Sequence, residues 1–326
     1  MRYSKIKTFL SLILTISTFF AQAQNAKLSA NNLKVDPSAL NFILMGDWGR
    51  NGADHQKEVA AQMGKTASAA SVDFIVSAGD NFYPLGVVSE HDPLWKYSFE
   101  DIYTDFSLQW NWYPVLGNHD YGSNPEAQIA YSKISRRWQM PSRYYSKVIN
   151  LNGDTTQQVL LAFIDTTPLI KNYHSGSGHK VHDQDTTAQK LWLKNLLANP
   201  SPNIKWKFVV GHHPIYTGGG RSESHDTKSV RSSIEPLLEK YKVDAYLAGH
   251  EHSLQHIVTA ANINHFISGA ASERTPVKML PTSKFAQSEY GFMLFSVTQS
   301  STLVQVIDFN GNILYTVSLP KKSKLK

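Results

Sequence analysis

Five short apolar runs punctuate the chain, and each stops at a glycine. Asn41–Met45 runs into Gly46-Asp47-Trp48-Gly49, and Asp73–Ala78 into Gly79-Asp80-Asn81-Phe82-Tyr83. Trp112–Leu116 leads to Gly117-Asn118-His119-Asp120, Trp206–Val210 to Gly211-His212-His213-Pro214, and Val243–Ala248 to Gly249-His250-Glu251-His252. Short apolar runs closed by turn residues read as buried strands. Between them the spacing turns helical. Asp54–Ala70 carries Val59 and Met63 on one face with Asp54 placed as an N-cap. Pro93–Phe106 is read as a helix packing Trp95, Tyr97, Phe99 and Tyr103, and Pro125–Trp138 as one with proline at its first position. Thr187–Ala198 and Thr227–Tyr241 repeat leucine, valine and isoleucine at helical intervals, with Pro236 a point of kinking.

Arg143–Ile149 and Gln158–Ile164 flank Asn152-Gly153-Asp154, a hairpin signal. After His252 the chain is strand-rich: Gln255–Ala260, Asn262–Ser268, Gly291–Thr298, Thr302–Phe309 and Ile313–Leu319, the last two joined at Asn310-Gly311. The opening order is strand, helix, strand, which predicts an α/β class. No repeat or linker breaks residues 24–320, so they read as one domain. Thr166–Thr187 is a long irregular stretch holding His174, His179 and His182, and loops of that length in compact domains are usually functional or disordered.

Composition changes the picture at the ends. Residues 1–23 combine Arg2, Lys5 and Lys7, an apolar run from Thr8 to Phe20 and Ala21-Gln22-Ala23, the pattern of a secretory signal peptide. No other run is long enough to cross a bilayer. The chain of 326 residues has a net charge of +6, but three of its positive charges lie in that leader and four in the tail 321–326, leaving the body near −1. The basic excess is therefore terminal, the tail reads as a solvated end, and no nucleic-acid partner is implied. Cysteine is absent, so an exported form has no disulfide to stabilise it.

Ligands in open α/β sheets gather at the carboxyl ends of strands. Each strand end alone reads equally as a turn, but five in series pool into one site. Asp80 has two oxygens with which to bridge cations about 3.5–4 Å apart. Asp47 and Tyr83 offer hard anionic oxygens, suited to a hard trivalent ion, while three histidines and Asn118 offer neutral donors. On extended chain, His250 and His252 point to one side, each able to face a different metal.

The set Gly-Asp-x-Gly, Gly-Asp-x-x-Tyr, Gly-Asn-His-Asp, Gly-His-x-Pro and Gly-His-x-His resembles the signature of the purple acid phosphatases among the calcineurin-like metallophosphoesterases. The likeness runs from Phe42 to Ile257 and is nearest the small, animal-type tartrate-resistant form. It implies a four-layer αββα sandwich of two mixed sheets. It also implies a dinuclear centre in which Asp47, Tyr83 and His252 hold Fe(III), Asn118, His212 and His250 hold a divalent Fe, Zn or Mn, and Asp80 bridges. The implied reaction is attack on a phosphomonoester by a metal-activated hydroxide, with His119 near the leaving group and Asp120 orienting it. His225 falls where the family carries a further histidine, displaced by the Gly218–Gly220 run. Small phosphomonoesters or phosphoproteins are the implied substrates, and a periplasmic or secreted monomer the implied form. Residues 171–185 match a loop over the active site whose cleavage activates family members. The alternative is a related Mn or Zn phosphodiesterase acting on nucleotides or lipid head groups; there an Asp-x-His replaces Asp47-Trp48-Gly49 and the tyrosine is lacking.

Overall fold

A computed structural model describes residues 33–175 and 181–321. The leader expected at residues 1–23 and all but the first residue of the basic tail lie outside these. In the first sheet β1 (Leu40–Met45), β2 (Phe74–Ser77) and β3 (Asn111–Pro114) run parallel. They are extended by antiparallel β11 (Gly291–Val297), β12 (Ser301–Asp308) and β13 (Ile313–Pro320), giving the order β13-β12-β11-β1-β2-β3. The second sheet is built from β4 (Tyr145–Leu151), β5 (Asp154–Phe163), β6 (Ile204–Val210), β7 (Ala245–Ala248), β8 (Leu254–Val258), β9 (Asn264–Ser268) and β10 (Ser283–Gln287). Its order is β10-β8-β9-β7-β6-β5-β4, with β5, β6, β7 and β9 parallel.

The sheets pack face to face through Phe42 and Phe295 of the first against Phe208 and Phe266 of the second, with ring centroids 5.3–6.4 Å apart. Helices cover the outer faces. Helix α1 (Gln56–Ala70) lays Val59, Met63 and Ala67 into the core cluster of the first sheet. Short α2 (Glu126–Tyr131) follows β3. Helices α3 (Thr186–Ala198) and α4 (His225–Lys240) bury Leu193, Leu197, Val230, Ile234 and Leu238 against Ile164, Val209, Tyr246 and Ile267. The central strands are therefore buried on both faces, which is why they read as continuous apolar runs. Mixed sheets with helices outside match the expected sandwich.

Several local expectations are corrected. Helix α1 begins after His55, whose left-handed backbone (φ 64°) and uncapped side chain replace the Asp54 cap. The turn is held instead by Gln56 Oε1, which accepts from the amides of Arg50 and Gly52. Residues 95–100 form a π-turn that buries Trp95 and Phe99 but turns Tyr97 outward. Helix α2 stops at Tyr131, because the Ser132 hydroxyl and amide-bearing Met140 tie that segment back and Gln139 N donates to Trp112 O. Helix α4 runs through Pro236. The β4–β5 hairpin turns at Asn152 and Gly153, both at positive φ as that turn type requires. At the β12–β13 turn the Asp308 carboxylate accepts from Asn310 N and Asn312 N, closing a longer loop than the two-residue one expected. Strand β10 was not expected: Ser283–Gln287 is mostly half-buried and mixes Phe285 and Ala286 with polar residues, without an apolar run. Lys321, read as part of a solvated tail, is instead anchored by Asp244 Oδ1 at 2.6 Å.

Candidate metal centre

The parallel strands of both sheets deliver their carboxyl ends to one rim. Backbone geometry there is tight. Asp47 (φ 60°), Asp80 (φ 49°) and His250 (φ 69°) all take left-handed conformations at the strand ends. Gly79 (φ 91°) has no alternative: a Cβ there would come within 2.7 Å of His212 Nδ1. Gly117 is needed for a different reason, since a Cβ would run into the Asp80 carboxylate.

The seven expected ligands come together as two groups of donor atoms. In the first, the Tyr83 hydroxyl lies 3.1 Å from Asp47 Oδ1, 3.1 Å from Asp80 Oδ2 and 3.2 Å from His252 Nε2, and His252 Nε2 is 3.4 Å from Asp47 Oδ1. In the second, His212 Nε2 lies 3.3 Å from Asn118 Oδ1, 3.2 Å from His250 Nδ1 and 3.4 Å from Asp80 Oδ2. Asp80 Oδ2 belongs to both. Its other oxygen accepts the His119 amide at 2.8 Å, so the two groups meet at one oxygen rather than across the carboxylate.

These separations suit cations. Zn–N and Zn–O bonds of about 2.0–2.2 Å give ligand–ligand edges of roughly 3.0–3.5 Å in tetrahedral or octahedral shells. The proton count points the same way. His212 Nδ1–H donates to Ala78 O at 2.8 Å, which turns Nε2 toward Asn118 Oδ1 and Asp80 Oδ2, both acceptors. Nε2 therefore calls for a positive charge there, carried by a proton or by a bound cation. Asp47 and Asp80 are buried. Burial and these two carboxylates push the Tyr83 phenol well above its ordinary pKa, so it gives up its proton only against a cation. Burial would raise Asp80, but His212 and His119 hold it well below the usual range; burial would lower His212, but Asp80 lifts it to about 9. Burial, with the charges of His213 and His212, keeps His250 far below 6.5, hence neutral and ready as a donor.

His250 and His252 reach different groups because the chain bends at the left-handed His250, not through extended-strand alternation. His119 sits at the mouth, its ring 4.5 Å from that of Tyr83 and its Nδ1–H donating to Pro84 O at 2.6 Å. Asp120 does not orient that ring. Its buried carboxylate accepts from Gly117 N, Asn81 N, Phe82 N and Gln128 Nε2, stapling two strand-end loops together. His225 is exposed on the first turn of α4, where its Nδ1 meets Ser229 Oγ at 3.2 Å; its bond is to its own helix and not to the donor groups. Of residues 171–185, Tyr173 approaches the site, its ring 6.1 Å from that of His213 and its hydroxyl on Asp226 Oδ2. Residues 176–180 of that loop lie outside the described ones.

The sequence reading missed several neighbours. His213 packs its ring 4.3 Å from that of His250 and is pinned through Nδ1 to Thr166 Oγ1 at 2.8 Å. Arg50, Ser272 and Glu273 border the first group. Ser272 and Glu273 follow Gly269, itself the close of β9, so a sixth strand ending in glycine was the signal.

The calcineurin-like phosphoesterase family model matches residues 40–254. Purple acid phosphatase 17 of Arabidopsis thaliana is 36% identical over 323 residues, covering 94% of this chain and 92% of its own. Tartrate-resistant acid phosphatase type 5 of Homo sapiens is 32% identical over 307 residues, covering 88% and 92%. Among solved structures, GAP50, described as the anchor in the inner membrane complex of Plasmodium, superposes with a TM-score of 0.75 at 26% identity, covering 88% of this chain and 90% of its own. A purple acid phosphatase from yellow lupin seeds shares the fold with a TM-score of 0.64 at 14% identity, over 88% of this chain and 55% of its own. The chain belongs to the calcineurin-like phosphoesterase family and, within it, to the purple acid phosphatases.

Proposed function

We propose that the protein is an acid phosphatase that hydrolyses phosphomonoesters at a dinuclear centre. In this reading Asp47, Tyr83 and His252 hold Fe(III), Asn118, His212 and His250 hold a divalent Fe, Zn or Mn, and Asp80 Oδ2 is common to both. The observation that carries it is that single shared oxygen, with a three-donor group on either side. The donor chemistry supports the division: two anionic oxygens with one imidazole suit a hard trivalent ion, and an amide oxygen with two imidazoles suit a borderline divalent one.

When bound, such a pair supplies an acidified water and positive charge for the phosphoryl oxygens. The chain does the rest. Asp80 and Asp47 are fixed by the amides of His119 and His250, at 2.8 and 2.9 Å, so neither carboxylate must reorganise as substrate enters. His119, anchored through Nδ1, keeps Nε2 as its free end. A proton carried on Nε2 can pass to the leaving oxygen as the ester bond breaks. Asp120 keeps the His119 loop in register with the Asp80 loop and takes no part in proton transfer. The sequence of residues 1–23 supports export, with Gln24 the first residue of the mature protein. Among the described residues no helix is long and apolar enough to cross a membrane.

The test is metal analysis of the purified protein beside rates on a phosphomonoester and a phosphodiester. Two metals per chain, one of them iron, and preference for the monoester are expected. A colourless Mn or Zn protein that prefers the diester would overturn the reading.

A further inference from the structure

Three residues outside the five motifs touch the three members of the first donor group. Arg50 leaves Gly49 and lays its guanidinium over the Tyr83 ring, 3.8 Å from carbon to centroid. Its Nε donates to Ser272 Oγ at 3.2 Å, and its terminal nitrogen pairs with Glu273 Oε2. Ser272 Oγ in turn donates to Asp47 O at 2.6 Å. Glu273 Oε2 also lies 3.3 Å from His252 Nδ1, close enough for a charge interaction though not in line for a hydrogen bond. One loop after β1 and one after β9, more than 220 residues apart in sequence, thus enclose Asp47, Tyr83 and His252 together.

We propose that Arg50 and Glu273 are opposed positioning residues that set how strongly Tyr83 and His252 donate electrons to the ferric ion. The proposal rests on the metal assignment above. A cation over an aromatic face attracts its π electrons and lowers the energy of the filled ring orbitals. Arg50 therefore restrains donation from the Tyr83 phenolate. A carboxylate beside the far nitrogen of a metal-bound histidine raises the basicity of the near one. Glu273 therefore strengthens donation from His252. The two side chains also neutralise one another, so neither leaves a net charge beside the site. Their side chains are 21% and 45% exposed, which limits both effects through solvent screening.

A phenolate that donates charge into a ferric ion absorbs visible light, so the test uses the purified full-length iron protein and reads that visible band and the reduction potential of the ferric ion. Arg50→Met keeps the side chain's length and deletes its charge. It should move the band to longer wavelength and lower the potential. Arg50→Lys keeps the charge without the flat stacking and should fall between Met and wild type. Glu273→Gln, which leaves Arg50 held by Ser272, should raise the potential and weaken iron binding, by about 10–100-fold if it behaves as outer partners of metal-bound histidines usually do. Potential shifts of opposite sign support the proposal, because general loosening of the site would move both variants the same way. Shifts of the same sign, or Arg50→Lys coinciding with Arg50→Met, overturn it. A wild-type protein that holds ferric iron but has no visible band would instead overturn the metal assignment beneath it.

Discussion

The two donor groups meet at one oxygen yet are supported by different means. Around Asp47, Tyr83 and His252 the outer neighbours are charged, Arg50 and Glu273, and both are partly open to solvent. Around Asn118, His212 and His250 they are mostly neutral: Ala78 O orients His212, and His213, pinned to Thr166, packs against His250, while the charged Arg221 meets only the His250 carbonyl, at 3.4 Å. In the proposed assignment the group rich in anionic oxygens, flanked by paired charges, would hold the more highly charged ion. The group of neutral donors, braced by a carbonyl and a ring, would hold the divalent one. The site is therefore asymmetric by construction, and the substitutions below act on the shared atom, at its mouth and beyond both groups.

Asp80→Ala should have the largest effect, because it deletes the atom common to both groups. Both metals should bind poorly and turnover should collapse; near-full metal content with near-normal rate would show that the groups are independent. His119→Ala comes next. It touches Asp80 only through its backbone amide, so the metals should remain while the rate falls by about 10²–10⁴-fold, as general acids usually contribute. The loss should shrink for substrates whose leaving group needs no proton. An equal loss for every leaving group would place His119 elsewhere in the mechanism.

The smallest effect lies outside both groups, at the buried network under the rim. Burial raises the Asp165 carboxyl from 3.8 to about 7, against the opposing pull of Tyr121 and Arg143. A raised carboxyl pKa means the folded state holds that proton more tightly than the unfolded chain. Its contribution is full below the unfolded pKa and is lost as pH rises toward 7. Asp165→Asn keeps an acceptor for the Tyr121 hydroxyl and removes the titration. Unfolding measured across that window should show a shallower decline in the variant, with both metals and activity retained. Identical pH profiles would remove Asp165 from the account.

The strand ends were legible because two physical constraints coincide there. The parallel strands are buried on both faces and so appear as unbroken apolar runs. The tight approach of neighbouring loops then demands glycine, as at Gly79 and Gly117. What lay beyond the sequence was side-chain direction. Asp120 stands beside His119 in the chain but points into the loop below it, toward the amides of Gly117 and Phe82. His225 looked placed by the family resemblance, but the first turn of α4 turns it to solvent. Arg50 and Glu273 carry no motif, and only the neighbouring ends of β1 and β9 bring them together. Strand β10 has a sheet partner but no apolar run to announce it.

The central claim is that Tyr83 holds a ferric ion in the first group, and one oxygen atom tests it. Tyr83→Phe keeps the ring under Arg50 and beside His119 and deletes only the hydroxyl that lies 3.1–3.2 Å from three other donors. The measurement is the visible spectrum of wild type and variant, each with its iron content determined. The wild type should be coloured, the variant should fold and lose the band, and its rate should suffer less than that of Asp80→Ala. An iron-loaded wild type without the band, or a variant that keeps it, would contradict the assignment.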